Sequence, residues 1–203
     1  MKTMSLETCI SEKLQFPQSI VNGLDPAYCV AVGLINSDMS GNHRQVVDQL
    51  ARLLDIEITN VAADCSMLLI RLDVQKNNEL GQLPDQPSGR PKEWRSPLGN
   101  FAEVEIPMPI GSRASWSLEH VPHWLPAWKR TYNLILLDLG PIREVPSRTI
   151  GRLCDFNFLI LGPRPTGSVE WLLQQIAWHQ QCGSSIVGSI LASKSSAARD
   201  FAA

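Results

Sequence analysis

The chain has 203 residues, and its 18 lysines and arginines against 20 aspartates and glutamates leave a formal net charge of −2. Hydrophobic residues make up 44% and charged residues 19%, which excludes a disordered polyelectrolyte and suffices for a buried core. The charge balance argues against nucleic-acid binding through a basic face, and no apolar run approaches the ~20 residues of a transmembrane helix. Five separated cysteines and no apolar signal-peptide core lead us to expect a cytoplasmic protein with free thiols and no direct membrane insertion.

The first part of the chain alternates apolar strand patterns with a helical pattern. A continuous apolar run predicts a strand over residues 28–35, buried on both faces, and a similar run predicts a second strand over 67–74. Between them, an apolar stripe at helical spacing predicts a helix; its members are Val46, Val47, Leu50, Leu53 and Leu54. Residues 55–66 could hold a further short strand.

The middle of the chain changes in character. Residues 75–96 are rich in proline, glycine, amides and charge, which predicts a flexible surface loop. An alternating strand is predicted over 102–106 and is expected to stop at Pro107. Pro122 is expected in the first turn of a short helix that Pro126 shortens or bends.

The last third carries the clearest alternation. Strands are predicted over 132–138, 156–161 and 185–191, with helices over 146–154 and from a Ser168 cap to about Gln181. Residues 193–203 are expected to be a frayed tail. The alternation predicts a single α/β domain over residues 1–192, with a mainly parallel central sheet flanked by helices.

The loop after the first strand is the candidate ligand site, because such folds bind ligands at the carboxyl ends of their strands. A phosphate-binding loop reads GxxxxGK[ST], with lysine on the outer phosphates and a hydroxyl on Mg²⁺. The best superposition sets Gly41, Asn42 and His43 against Gly-Lys-Ser, and no lysine lies between residues 13 and 76. With Arg44 as the nearby cation, the loop predicts a vestigial phosphate site formed by these four residues.

Two aspartates are candidate catalytic and Mg²⁺-binding residues. Asp138 and Asp73 each follow a buried apolar strand, where a carboxylate for a magnesium ion and its water would lie. For either aspartate alone, capping of the following turn is the simpler interpretation. The pair after a strand–loop–helix opening favours descent from a nucleotide site.

Several segments resemble one family. Residues 132–142, YNLILLDLGPI, resemble the YDLIIIDTPPV segment of bacterial tyrosine kinases from capsule and exopolysaccharide export. Residues 152–155 resemble RLAD, 186–191 resemble VLGVVLN, and 67–73 resemble VLLVDAD. These kinases belong with chromosome-partitioning and division-site ATPases among the P-loop NTPases, so the resemblance implies a P-loop NTPase-like fold.

The departures from this family shape the functional hypothesis. The Walker A loop lacks its lysine, Arg71 stands where the resemblance expects aspartate, and Ala192 and Ser193 replace the asparagine that would contact the base. We therefore expect a catalytically degenerate relative that acts by binding or regulation and has no cofactor. The alternative is an active ATP- and Mg²⁺-dependent kinase or ATPase, in which Arg44 or a partner's cation replaces the lysine.

Two tryptophans predict a protein-binding surface. On the helix that follows Ser168, the sheet-facing stripe is expected to be Val169, Leu172, Leu173 and Ile176. Trp171 and Trp178 then fall on the opposite side, and two exposed indoles fit an interface. The expected partner is a second copy of this chain or the cytoplasmic segment of a membrane protein. A loop such as 75–96 folding over both indoles explains them equally well.

Overall fold

A computed structural model describes residues 20–37, 43–61, 64–74, 91–108, 114–162 and 167–192. In chain order the elements are β1 (Val30–Asn36), α1 (His43–Val61), β2 (Met67–Val74), β3 (Trp94–Arg95), β4 (Ala102–Met108), α2 (Ala114–Lys129), β5 (Leu134–Pro141), α3 (Val145–Gly151), β6 (Phe156–Leu161), α4 (Val169–Gln181) and β7 (Ile186–Leu191). None of the helices in these ranges is long and apolar enough to cross a bilayer.

The strands form one mainly parallel sheet in the order β3-β4-β2-β5-β1-β6-β7, in which only β3 runs antiparallel to its neighbour β4. Each face of the sheet packs on helices. The α1 side chains cover one face, and those of α2, α3 and α4 cover the other. The predicted fold class is confirmed, since parallel strands joined by helices need cover on both faces.

The α1 helix is longer than predicted. It runs to Val61 and replaces the further strand considered for residues 55–66. Its apolar stripe continues through Leu54 and Ile58, both of which are buried against the sheet. The spacing of four residues keeps these two side chains on one helical face.

The prediction for Pro122 and Pro126 is wrong, because both prolines lie inside a single helix, α2, rather than at the start of a short one. Each proline removes a backbone hydrogen bond. Around them Val121, Leu125 and Trp128 are buried in the core, and this packing stabilises the helix despite the lost bonds.

Part of the stretch predicted as a surface loop is strand. Trp94 and Arg95 form β3, which pairs with β4, and β4 itself continues past Pro107 to Met108. Residues 75–90 lie outside the described part of the chain, as do residues 193–203. The glutamate before β3, Glu93, accepts a hydrogen bond of 2.9 Å from the indole nitrogen of Trp128.

The predicted inner face of α4 is confirmed for Leu172 and Ile176, which pack against the core, and is wrong for Val169 and Leu173. Val169 and Leu173 are 70% and 58% exposed, whereas Gln175 and His179 are buried. Trp171 packs against the core, so Trp178 alone of the two indoles is strongly exposed.

Specific partners explain the burial of the polar residue His179. Its Nε2 lies 3.0 Å from the carbonyl oxygen of Ile142, and its Nδ1 lies 3.3 Å from Oγ of Ser184. A buried polar group is tolerated when it is hydrogen-bonded. These atoms come from other parts of the chain, so the periodicity of α4 cannot reveal them.

Candidate functional site

The parallel pairing places three chain segments together at the carboxyl ends of the central strands. In register, Asp138 of β5 pairs with Leu34 of β1 on one side and with Arg71 of β2 on the other. β1 then ends at Asn36, whose carbonyl oxygen accepts a 2.8 Å hydrogen bond from the amide of Ile142. The sheet and α1 thus bring His43, the first described residue after β1, next to Asp138.

The Asp138 carboxylate is buried and meets two basic side chains. His43, the first residue of α1, contacts Oδ1 through its Nε2, and Nη1 of Arg71 lies 3.8 Å from Oδ2. The amide of Gly140 donates to Oδ1 at 3.3 Å, which the positive φ of 71° at this glycine permits. Burial raises the pKa of Asp138, while the nearby His43 and Arg71 act in the opposite direction.

Arg71 lies at the centre of a buried ionic network on the α1 side of the sheet. Its Nε donates to Oε1 of Glu103 at 2.5 Å, and its Nη2 donates to Oδ1 of Asp48 at 2.6 Å. The second oxygen of Glu103 accepts a hydrogen bond of 2.9 Å from Oγ of Ser96. Burial alone would lower the pKa of Arg71, but Glu103 and Asp48 outweigh burial and raise it above its ordinary value.

Sequence reasoning missed Glu103 and Asp48 as parts of the site. A signal for them was available, because an arginine inside an otherwise apolar strand requires a buried carboxylate nearby. The pattern of residues 102–106 also placed Glu103 on one face of a half-buried strand. The identity of the partner, however, depends on how β2 and β4 pair.

The other predicted site residues are less closely associated with Asp138. Arg44 is exposed, and its Nη2 lies 3.7 Å from Oε1 of Glu105. The backbone of Asp73 lies two residues beyond Arg71 and pairs with Pro107; its side chain is outside the described part. Gly41 and Asn42 also lie outside the described residues.

The described side chains around Asp138 do not by themselves form a set of magnesium ligands. Mg²⁺ prefers oxygen ligands. Among the described side chains, the neighbours of the Asp138 carboxylate are an imidazole and a guanidinium. The described residues also hold no cluster of three or more His, Cys, Asp or Glu side chains that could bind a metal.

Comparison with known proteins finds similarity at the level of structure. No protein-family model matches the chain, and no curated protein sequence does. The kinase domain of Escherichia coli tyrosine kinase ETK superimposes with a TM-score of 0.66 at 13% identity, over 98% of this chain and 84% of that domain. The VpsO kinase domain superimposes with a TM-score of 0.63 at 14% identity, over 92% of this chain and 95% of that domain. The BceF tyrosine kinase domain superimposes with a TM-score of 0.60 at 16% identity, over 92% of this chain and 76% of that domain.

The chain has the fold of bacterial tyrosine kinase domains. This kinase fold is the one that the resemblance of residues 132–142 implies. At 13–16% identity the likeness concerns the fold and not the chemistry.

Proposed function

We propose that the protein is a catalytically degenerate relative of the exopolysaccharide-type bacterial tyrosine kinases that acts by binding or regulation. One observation carries the proposal. The carboxylate of Asp138, which the resemblance aligns with the magnesium carboxylate of these kinases, is engaged by His43 and lies 3.8 Å from the Arg71 guanidinium. If that alignment holds, two basic side chains of the chain itself lie beside the carboxylate that would bind a metal ion.

Electrostatics supports this proposal. At a separation of about 4 Å near a protein surface, two like unit charges repel by roughly 4 kcal/mol, and a divalent ion feels about twice that. Arg71 keeps its charge because Glu103 and Asp48 raise its pKa. A magnesium ion beside Asp138 would lie close to the charge of Arg71, which two short ion pairs, of 2.5 and 2.6 Å, hold in place.

The charge pattern of the family is also rearranged. By the resemblance, the lysine of the phosphate loop is replaced by Asn42, while an aspartate at the end of the second strand is replaced by Arg71. The positive charge thus moves from a loop that would face phosphate to a strand whose partners are carboxylates of the same chain. Such an exchange favours a permanently closed ionic network over a site that opens to Mg-ATP.

Calorimetric titration with Mg-ATP and Mg-ADP tests the proposal. We expect no magnesium-dependent binding at micromolar concentrations. Micromolar binding that is abolished by Asp138→Ala, while the exposed-surface variant Arg52→Ala binds normally, would overturn it.

The active-enzyme alternative rests on Arg44. The Arg44 side chain is 61% exposed and its ion pair with Glu105 is long at 3.7 Å, so little holds the guanidinium in this position. If the protein hydrolyses ATP in this way, release of phosphate will fall in Arg44→Ala and in Asp138→Ala alike. Phosphate release at the same level in wild type and in both variants would instead belong to a contaminant.

A further inference from the structure

A short segment of the chain lies along one side of β4. We call residues 93–96 the β3 strap; they contain β3, which is two residues long and exposed at both. In the described part of the chain, its backbone pairs with β4 at two positions, Trp94 with Glu103 and Arg95 with Ala102. A segment with so few backbone contacts and so much exposure opens locally at a low cost in free energy.

Two side-chain contacts fasten the β3 strap, one on each face of the sheet. On the α2 side, the Glu93 carboxylate accepts hydrogen bonds from the indole nitrogen of Trp128, at 2.9 Å, and from the hydroxyl of Tyr132. On the α1 side, Oγ of Ser96 donates to Oε2 of Glu103 at 2.9 Å, and both side chains are buried. The Ser96 contact joins the strap to the carboxylate that holds Arg71.

A chain of buried polar contacts leads from the β3 strap to Asp138. The other oxygen of Glu103, Oε1, accepts from Nε of Arg71 at 2.5 Å, and Nη1 of Arg71 lies 3.8 Å from Oδ2 of Asp138. The side chains of Arg71, Glu103 and Asp138 are only 5%, 7% and 9% exposed. These contacts cross four neighbouring strands, β3, β4, β2 and β5, with little access to water.

The guanidinium of Arg71 has two arrangements within reach. Glu103 and Asp48 draw it away from Asp138, and its buried Nη1 donates to no atom in the described part of the chain. A shift of about 1 Å would bring Nη1 within hydrogen-bond distance of Oδ2 of Asp138. Because a buried donor without an acceptor is costly, any weakening of the pair with Glu103 favours that shift.

We propose that the β3 strap is a conformational switch that is coupled to Asp138 through Arg71. While the strap is closed, Ser96 and Arg71 share the two oxygens of Glu103, and Arg71 stays back from Asp138. When the strap opens, water reaches Glu103, its pair with Arg71 weakens, and Arg71 moves to Asp138. A change at either end therefore biases the other end, as the reciprocity of coupled sites requires.

This coupling goes beyond the proposed function and needs no nucleotide. A cation that engages Asp138 competes with Arg71 for the carboxylate, so it keeps Arg71 on Glu103 and the β3 strap closed. Three strand spacings of about 4.8 Å separate β3 from β5. The state of the Asp138 site is therefore transmitted roughly 14 Å across the sheet.

Hydrogen exchange without nucleotide, followed by NMR, tests the coupling. The amide of Ser96 donates to the carbonyl oxygen of Phe101 at 2.9 Å, so its exchange rate measures opening of the β3 strap. Asp138→Asn keeps the size of the side chain but removes the charge that attracts Arg71, so opening becomes harder. We expect the Ser96 amide to exchange more slowly by about five-fold or more. A general loss of structure would instead speed its exchange.

A double variant and a control establish the route. In Glu103→Gln the charge pair with Arg71 is absent, so adding Asp138→Asn to it should leave the exchange of the Ser96 amide unchanged. The control Glu144→Gln removes a carboxylate that pairs with Arg143, outside these contacts, and should exchange like wild type. Amides of β5 report global unfolding, and the Ser96 amide should exchange faster than they do.

Circular dichroism verifies that each variant is folded. If Asp138→Asn is unfolded, Ser96→Ala tests the coupling from the other end, because the Nε–H resonance of Arg71 should shift as Arg71 leaves Glu103. The control Thr59→Ala removes an exposed hydroxyl that donates to the carbonyl oxygen of Asp55 in the same helix, and should leave that resonance in place.

Three results would overturn the proposal. The first is exchange of the Ser96 amide that is unchanged or faster in folded Asp138→Asn, or, in the second assay, an Arg71 resonance that does not move in Ser96→Ala. The second is equal slowing by Asp138→Asn with and without Glu103→Gln. The third is a β3 strap that opens only together with β5. None of these results depends on whether Mg-ATP binds, so the proposed function is tested separately.

Discussion

Replacement of Arg71 by methionine probes the ionic network most directly. Methionine keeps an unbranched apolar stem of similar length but removes the charge from the centre of the network. Glu103, whose side chain is 7% exposed, then loses its only cation among the contacts described. Asp138, whose side chain is 9% exposed, loses one of the two basic side chains that contact it. We expect Arg71→Met to destabilise the fold severely.

The magnitude follows from the burial of each partner. Removing one member of a buried ion pair costs about 3–5 kcal/mol, because the other charge remains desolvated. The pair with Asp48 adds little, about 0–1 kcal/mol, because that carboxylate is 31% exposed. For a chain of this size, about 2–4 °C of Tm is lost per kcal/mol, so Tm should fall by roughly 6–20 °C.

The double variant Arg71→Met with Glu103→Met tests the cause. Replacing a buried ion pair by apolar side chains is often neutral, so most of the lost stability should return. The loss of the hydrogen bond from Ser96 would leave a deficit of about 1 kcal/mol. Arg44→Met is the control, because its exposed pair with Glu105 should contribute about 0–1 kcal/mol.

Urea denaturation and thermal melting measure these differences. A loss below about 1 kcal/mol in Arg71→Met would refute the buried network. A double variant no more stable than the single one would refute the claim that the unpaired Glu103 causes the loss.

Two further predictions concern the core. Burial lowers the pKa of His179, Arg148 adds to this effect, and the hydrogen bond to Ile142 opposes it, so folding favours the neutral ring. The contribution of His179 to the free energy of unfolding is therefore complete above the unfolded pKa of about 6.5 and is lost as the pH falls through the folded pKa. We expect His179→Gln to flatten the pH dependence of the free energy of unfolding between pH 7 and 5, as measured by urea denaturation. Gly33→Ala should destabilise by about 1–3 kcal/mol or more in urea denaturation, because its Cβ would lie 2.1 Å from Oδ1 of the buried Asn157. A Gly33→Ala variant as stable as wild type would contradict that packing.

Much of the fold is determined by local sequence pattern. β2 and β6 have the bounds that their apolar runs predict, since a strand buried on both faces is predominantly apolar. Their alternation with helical segments specifies a parallel sheet, because parallel neighbours need long crossover connections. The proximity of His43 and Asp138 follows in the same way, because parallel strands joined through helices bring their carboxyl ends to one edge of the sheet, although β5 runs past Asp138 to Pro141 rather than ending there as predicted.

The partners of the charged and polar side chains depended on the tertiary structure. Arg71 meets Asp48 and Glu103, 23 and 32 residues away, because the pairing of β2 with β4 and the packing of α1 bring them together. Likewise, His179 faces inward on α4 because the carbonyl oxygen of Ile142 and the hydroxyl of Ser184 lie within hydrogen-bond distance of its two ring nitrogens. Periodicity describes only neighbours within a few residues, whereas the cost of burying a polar group depends on atoms supplied by distant segments. The sequence by itself therefore determined the alternation of strands and helices and the place of most of the strands, because both follow from local apolar patterns. The tertiary structure alone decided which of the buried charges are neutralised, because their partners come from distant segments.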